Sequence, residues 1–504
     1  MYCEHYDTLM EYAPTPRPQR AAWRSRDLAQ RLTLLPMAQP EQAIKQLTLM
    51  LGEQLSEAWP RSKRLRVVQE MLPTVRALRT SVQTQIGNMG YPLPESKAQL
   101  ATAMLALLQS LGQAFAIAAC ELCSATGKPP WLGRGYLTTA LNQALRCDHA
   151  ALSLVYQLGL VPPSGLWSHL HGAYAVALSW QVDKTRWRDG AQEFETSVQD
   201  RYAQVLLLAL SGPYAYQRRE WPSVLAASAT LAVLAELTSD GGSGIVVAAD
   251  GPDSGPARVA QACTHEADYA WSVDLAPLIA VLDTAIAEAD GETVILNVPG
   301  AASMDLPQAL AIRVRDAWHG PIERGDQRLP GTHALATLPG LHGLHRVLAQ
   351  GQHFDAFVQH LAGAQIVVGA QANAAAWMSG SKVEAGSPMI DARVLDQSLG
   401  GYRLAWPTQY HMRLKVGELI GLAPGYDSSD PATPTLCLVG IVRWLRSEPE
   451  VGLTAGVHVL AKSARAAAVR LVDADGNRGR PQRGLLVRGE EGAEVLLGEH
   501  GARR

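Results

Sequence analysis

Asp396-Gln-Ser-Leu-Gly-Gly401 begins a run of short apolar segments from which the architecture can be inferred. A carboxylate, a hydroxyl and two glycines within six positions are a turn signal. Beyond it, short apolar runs recur at residues 402–406, 418–422, 436–444, 453–460 and 468–472, each bounded by Gly, Pro or Asp. Two similar runs, 333–338 and 392–395, precede it. Strands this short, separated by turn residues, predict a small antiparallel barrel. A single helix is expected to interrupt it over 341–361. Just ahead of the first run, Arg324-Gly-Asp-Gln-Arg328 places two arginines four positions apart. Arg20 and Arg24 repeat that spacing with no strand after them, so order and context carry the reading rather than either string alone.

Working outward, residues 21–237 have a helical period, with breakers at Pro36, Pro60, Gly90, Gly127, Pro162 and Pro213. Over 96–125, Leu100, Met104, Leu107, Leu108, Leu111 and Phe115 fall on one i, i+3, i+4 stripe, and Ser96 is the expected N-cap. The first 238 residues are therefore read as an all-α bundle or short solenoid. Ser239-Asp-Gly-Gly-Ser-Gly244 breaks the period. A strand at 245–249, a helix at 275–289, a strand at 293–297 and a helix at 306–318 then predict a small α/β region over 239–320. The barrel is expected over 321–495, with a helical insertion at about 340–385. The fold class is multidomain α+β.

A chain of 504 residues needs about two to four cores. Hydrophobic residues at 47% and charged residues at 18% fit a folded chain rather than a disordered one. A net charge of -3 gives no basic field for a nucleic-acid polymer or an anionic membrane, so any anion site must be local. The polar, proline-bearing N-terminus does not read as a signal peptide. The apolar runs read as interrupted too soon to span a bilayer, and cytoplasmic placement is expected. Six scattered cysteines are too few for a disulfide framework.

The order Arg324 and Arg328, strand, then Asp396, Ser398 and Gly401 inside a predicted barrel resembles the PilZ family of cyclic di-GMP receptors. Val416-Gly-Glu-Leu419, Gly440-Ile-Val-Arg-Trp444 and Ala455-Gly-Val-His-Val459 are similar to that family's later strands. The resemblance covers about 320–490 and leaves the first 230 residues unexplained. It implies a six-stranded antiparallel barrel with cyclic di-GMP as ligand, held by Arg324, Arg328, Asp396, Ser398 and Gly401. Arg443 or Trp444 would border it, since alternation along a strand sends one of the two inward. The chemistry suits the ligand. A guanidinium can fork onto phosphate oxygens, pair with guanine O6 and N7, or stack on a base, and a carboxylate can accept from guanine N–H groups. Unlike the family pattern, a long stretch separates Arg328 from Asp396. An insertion between the first two strands would keep the motifs adjacent; otherwise the arginines match by accident and the site is degenerate. Taken locally, the arginines are also a solvated loop beside Glu323 and Asp326, and 396–401 an ordinary Asx turn.

Cys120, Cys123, Cys147 and His149 have the residue types for zinc, but cysteines three apart in an apolar helix read as core. His333, His342, His345, His353 and His360 read as surface and helix histidines. The glycine-rich Asp240 to Gly244 lacks the Gly-Lys-Ser/Thr ending of a phosphate loop and reads as a linker, and no hydrolase, zincin, cyclase or phosphodiesterase motif is present. The expectation is a non-enzymatic, cytoplasmic effector with no metal or cofactor. It would couple cyclic di-GMP to an unidentified protein partner in motility, biofilm or pilus control. The alternatives are a ligand-free scaffold acting as a protein-interaction module, and a zinc enzyme using the cysteines and histidines.

Overall fold

The computed structural model describes residues 25–55, 63–87, 89–123, 133–188, 194–238, 245–247, 253–258, 271–320, 328–361, 389–407, 412–424, 438–448, 450–470, 472, 476–489, 492–497 and 501–503. The chain divides into two compact units, Met1–Met89 with Leu93–Glu323, and Gly90–Pro92 with Arg324–Arg504.

The apolar stripes of the first half become helices α1 (Ser25–Thr33), α2 (Pro40–Leu55), α3 (Lys63–Ile86), α4 (Glu95–Leu122), α5 (Arg134–Gln157), α6 (Leu166–Ser179), α7 (Val198–Leu210) and α8 (Trp221–Leu231). Neighbours in sequence pack on one another, α3 on α4, α4 on α5, α5 on α6 and α7 on α8. The predicted stripe of α4 is buried throughout. Its N-cap is Pro94 rather than Ser96, and Ser96 falls inside the first turn. The pre-formed φ of proline (-55°) starts the helix there without a side-chain cap. The expectation that no run is long enough to span a bilayer is also corrected, because α4 has the length and hydropathy to do so. Its most apolar window is 67% buried inside the protein, so that surface is used in packing.

Helix α5 is buried on nearly every face, and the carboxylate of its Asp148 is tied down. His169 Nδ1–H donates to Asp148 Oδ2 at 2.6 Å. Gly112 of α4 leaves room for that carboxylate, since a Cβ there would run into Asp148. His171 Nε2 lies 2.8 Å from the Ser254 carbonyl and must donate to it, so Nδ1 accepts from the Tyr202 hydroxyl at 2.6 Å.

These rings set a pH dependence. Burial pushes His149 down to about 3, helped by the Arg201, Arg79 and Arg146 charges, and pushes His171 down to about 4. Both are neutral when folded but protonate near 6.5 when unfolded. Their stabilisation is complete above about pH 6.5 and is lost on acidification, each by about 1.4 kcal/mol per pH unit, until the folded values are passed. His169 behaves oppositely. Burial lowers its pKa, but the charge and hydrogen bond of Asp148 outweigh this and raise it. Its contribution is complete below about pH 6.5 and fades as pH rises through the raised value. The helical unit's urea midpoint, followed by far-UV circular dichroism, should therefore fall steadily from pH 6.5 to 4. Asp148→Asn should remove only the alkaline decline; an acid limb that is flat contradicts this account.

After the helices come β1 (Glu236–Thr238), β2 (Ile245–Val247), β3 (Trp271–Asp274), α9 (Ala276–Glu288), β4 (Thr293–Leu296), β5 (Met304–Pro307) and α10 (Gln308–His319). The sheets are antiparallel, β1-β3-β2 and β4-β5. Strands β1, β3 and β5 escaped the sequence reading because three or four residues carry no measurable period and pairing alone defines them. This region belongs to the helical unit. Trp318 Nε1–H donates to the Leu207 carbonyl at 2.8 Å, Thr230 Oγ1–H to Ala302 at 3.2 Å, and Arg313 Nη1 to Glu220 at 2.6 Å.

In the second unit lie β6 (Leu329–Pro330), β7 (Ala334–Pro339), α11 (Leu341–Leu348), α12 (Phe354–Leu361), β8 (Ile390–Ser398), β9 (Gly401–Trp406), β10 (Leu419–Pro424), β11 (Leu438–Glu448), β12 (Gly452–Ala461), β13 (Ala464–Val469), β14 (Gln482–Gly489), β15 (Gly492–Leu497) and β16 (Gly501–Arg503). Pairing runs β8-β7-β10-β11-β12-β9, and β9 pairs back to β8, closing a six-stranded antiparallel barrel. Its interior includes Leu335, Val394, Leu404, Trp406, Ile420 and Val457. Tyr91 exchanges both backbone hydrogen bonds with Leu414 beneath it, at 2.9 and 2.8 Å. Residues 468–472, expected as a further barrel strand, instead overlap the end of β13 in a separate sheet, β13-β14-β15-β16. Ring closure leaves β12 no free edge to offer.

The single helix expected over 341–361 is two helices. Gln350 and Gly351 adopt positive φ (57° and 80°), and the Gly351 N–H closes back on the Arg346 carbonyl at 2.8 Å. His345, expected at the surface, is buried between Phe354 and Phe357 and hydrogen-bonded to Ala467. Helix α11 packs on β7, β10, β13 and β14, so the outer face of β7 and β10 is covered by a second apolar cluster built on Leu338, Leu344, Leu419 and Leu485.

One buried polar chain crosses the barrel. Trp406 Nε1–H donates to Thr337 Oγ1 at 3.0 Å, whose hydroxyl donates to the Ile390 carbonyl at 2.6 Å. Both side chains are fully buried. Thr337→Val should cost about 1–3 kcal/mol by orphaning the indole N–H. Faster amide exchange in β7 and β8 would report it, and unchanged protection would refute it.

Candidate ligand-binding site

The hairpin of β8 and β9 carries the motif. Ser398 and Gly401 face each other across it, and Leu399 at its tip is 93% exposed. The Gly400 carbonyl accepts from Val459 N–H at 3.0 Å and from His458 Nδ1–H at 2.9 Å, which docks the turn on β12. Gly401 has a packing reason for having no side chain, because a Cβ there would run into the Val457 carbonyl oxygen. Ser398 is half-buried, and its hydroxyl makes no hydrogen bond to the described residues.

Two bulges aim the neighbouring side chains. In β8 the register shifts between Val394 and Asp396. Val394 then fills the core, while Asp396 stands outside opposite Arg403. In β11 the shift between Val442 and Trp444 makes Arg443 the extra residue. Strict alternation would have sent Arg443 or Trp444 inward. The bulge leaves Arg443 exposed and Trp444 half-buried over Gly456, where a Cβ would collide with the indole. One outward row thus crosses five strands: Pro330, Asp396, Arg403, Gly456 and Trp444.

Arg328 stands just before β6, which pairs with β8 at Leu329–Gln397 and Pro330–Asp396. Its Nη1 donates to Asp396 Oδ1 at 2.7 Å, across 68 positions of sequence. Arg403 Nη1 lies 3.8 Å from Asp396 Oδ2 and its Nη2 3.9 Å from Glu448, which is 3.7 Å from Arg446 Nε. Three guanidiniums thus share two carboxylates on the exposed side of the ring. Arg324 lies outside the described residues. The structure therefore brings Arg328, Asp396 and the Ser398–Gly401 hairpin end together, and puts Arg443 beside Trp444 at the far end of the row. Sequence reasoning missed Arg403, Arg446 and Gly456. Arg403 had a signal, since it is two residues from Gly401 and alternation puts both on one face. An open concavity of about 750 Å³, lined by Phe354, Asp355, Arg480 and Arg483 among others, includes none of the predicted site residues. Among the described residues no group of His, Cys, Asp and Glu could hold a metal ion.

The closed ring, with this acidic-hydroxyl-glycine corner at one hairpin, makes the chain a PilZ-domain protein. Residues 368–466 match the family model described as the middle PilZ domain of the cyclic-di-GMP receptor FimW, and residues 26–241 match that receptor's N-terminal domain. The first match spans β8 to β12 and includes Asp396, Ser398, Gly401 and Arg443, but begins after Arg328. Over 91% of this chain and 81% of the relative, the sequence is 23% identical to the cyclic-di-GMP receptor FimW of Pseudomonas aeruginosa.

Proposed function

We propose that this chain is a cyclic di-GMP receptor whose ligand is held by Arg328, Asp396, Ser398 and the Gly401 turn, with Arg324 from the preceding segment and Arg443 at the rim. The observation that carries the reading is the 2.7 Å bond between Arg328 and Asp396, which brings both halves of the motif to one edge of the barrel. The insertion reading of the long separation is favoured, because β7 and β8 are neighbours in the ring although α11 and α12 lie between them in sequence.

Energetics favour exchange of partners. An exposed ion pair of this kind is worth about 0.2–1 kcal/mol, whereas hydrogen bonds between a guanidinium and phosphate contribute about 1.5–3 kcal/mol each. A phosphate can therefore draw Arg328 from Asp396 and free the carboxylate for guanine N–H groups. Ligand binding draws Arg328 from its pair with Asp396, and the changed surface is what a protein partner in motility, biofilm or pilus control would recognise. The receptor is cytoplasmic and non-enzymatic in this reading.

Calorimetric titration of the full chain with cyclic di-GMP should give a dissociation constant of about micromolar or tighter. A folded protein that takes up no ligand refutes the receptor and leaves the scaffold. Proteolysis across residues 320–330 would then be indifferent to nucleotide.

A further inference from the structure

Helix α12 keeps part of an apolar face open to solvent. Phe354, Phe357, Val358 and Leu361 recur at i, i+3, i+4 and i+7, the stripe of a helix that packs on one side. None of the four is fully buried, and Leu361 is 59% exposed. Phe354 and Phe357 meet the ring of His345 edge-on, which accounts for part of the stripe. Phe354 and Val358 also line the open concavity of about 750 Å³, together with Arg480, Pro481 and Arg483 at the entry to β14.

The charge of this groove is one-sided. Arg480 is exposed, and the Arg483 guanidinium lies 4.8 Å from the centre of the Phe354 ring. Neither arginine forms an ion pair with a described residue, and Asp355 is the one carboxylate in the lining among the described residues. From Ala464 to Gly489 the sequence carries six arginines against two aspartates, Asp473 and Asp475, in a chain whose net charge is -3. Arginine beside exposed aromatic and aliphatic surface is the composition of a protein interface. What fills it must bring apolar side chains for Phe354, Val358 and Pro481, and carboxylates for Arg480 and Arg483. A nucleic-acid polymer brings the charge without an aliphatic anchor. Residues 362–388 of this chain bring one lysine, Lys382, and one carboxylate, Glu384, so they do not match two arginines.

We infer that the groove between α12 and the start of β14 docks an acidic, amphipathic segment of a partner protein. Its apolar side chains lie on Phe354, Val358 and Pro481, and its carboxylates on Arg480 and Arg483. None of the residues predicted to hold cyclic di-GMP lines this groove, so docking needs no nucleotide.

The test is fluorescence anisotropy of the full chain, without nucleotide, against a labelled peptide in which Glu and Asp flank Leu and Phe at helical spacing. Saturable binding with a dissociation constant of about micromolar to tens of micromolar is expected. Arg480→Glu and Val358→Glu should each weaken it by about tenfold or more. Arg480 is exposed, so its variant serves if the other does not fold, with circular dichroism as the control. A peptide with lysines in place of the acids should prefer Arg480→Glu to the wild type. Arg328→Ala should leave the affinity unchanged, which separates this surface from the hairpin site. Four results overturn the inference: no saturable binding of the acidic peptide; equal binding of a version with serines for Leu and Phe, or of a single-stranded oligonucleotide of equal charge; unchanged affinity in the Arg480 variant; or loss of binding in Arg328→Ala.

Discussion

Arg328→Ala is expected to weaken cyclic di-GMP binding by about a hundredfold or more while leaving the barrel folded. The side chain is 42% exposed, and its one ion pair among the described residues, to Asp396, is of the kind that contributes at most about 1 kcal/mol. Its removal leaves the barrel core untouched. In the complex the same guanidinium would supply two charge-assisted bonds, together about 3–6 kcal/mol, which corresponds to a hundredfold or greater loss. Calorimetry on the variant, with circular dichroism as the control for folding, measures both. Wild-type affinity in a folded Arg328→Ala protein would remove this arginine from the site.

Gly401→Ala should destabilise the barrel by about 1–3 kcal/mol, the range for inserting a methyl group into well-packed surroundings. The obstacle here is a backbone oxygen, that of Val457, and not the end of a flexible side chain. Relief would require β9 to separate from β12 where Gly401 faces His458, straining the two hydrogen bonds that hold the Gly400 carbonyl. Amide exchange in β12 should therefore quicken, at Val459 above all, and ligand affinity should fall along with it. Loss of binding with unchanged protection would mean that the glycine serves ligand approach and not strand packing.

The two predictions separate the parts of the motif. Arg328 contributes to binding and little to the fold, whereas Gly401 holds the surface on which binding depends. Arg328 meets the row from Asp396 to Trp444 at Asp396, and Arg403 links that carboxylate to Glu448.

Much of this was legible in the sequence for definite reasons. The stripe of α4, from Leu100 to Phe115, has a helical period and is buried as that period requires. The alternation of Tyr402, Leu404 and Trp406 gives β9 one core face and one outer face. The turn residues at 396–401 mark the hairpin. All of these are local signals repeated over several residues. What depended on distant partners was not legible. The short β3 and β5 exist through pairing, and the helix break at Gln350 through backbone conformation. The bulges at 394–396 and 442–444 answer to the partner strand, because an extra residue has no signature until it must match a neighbour. Sequence alone thus determined the periods, the turns and the order of the two motifs. Only strand pairing decided that Arg328 reaches Asp396 across 68 positions, because β6, outside the ring, lies against β8 however long the chain that joins them.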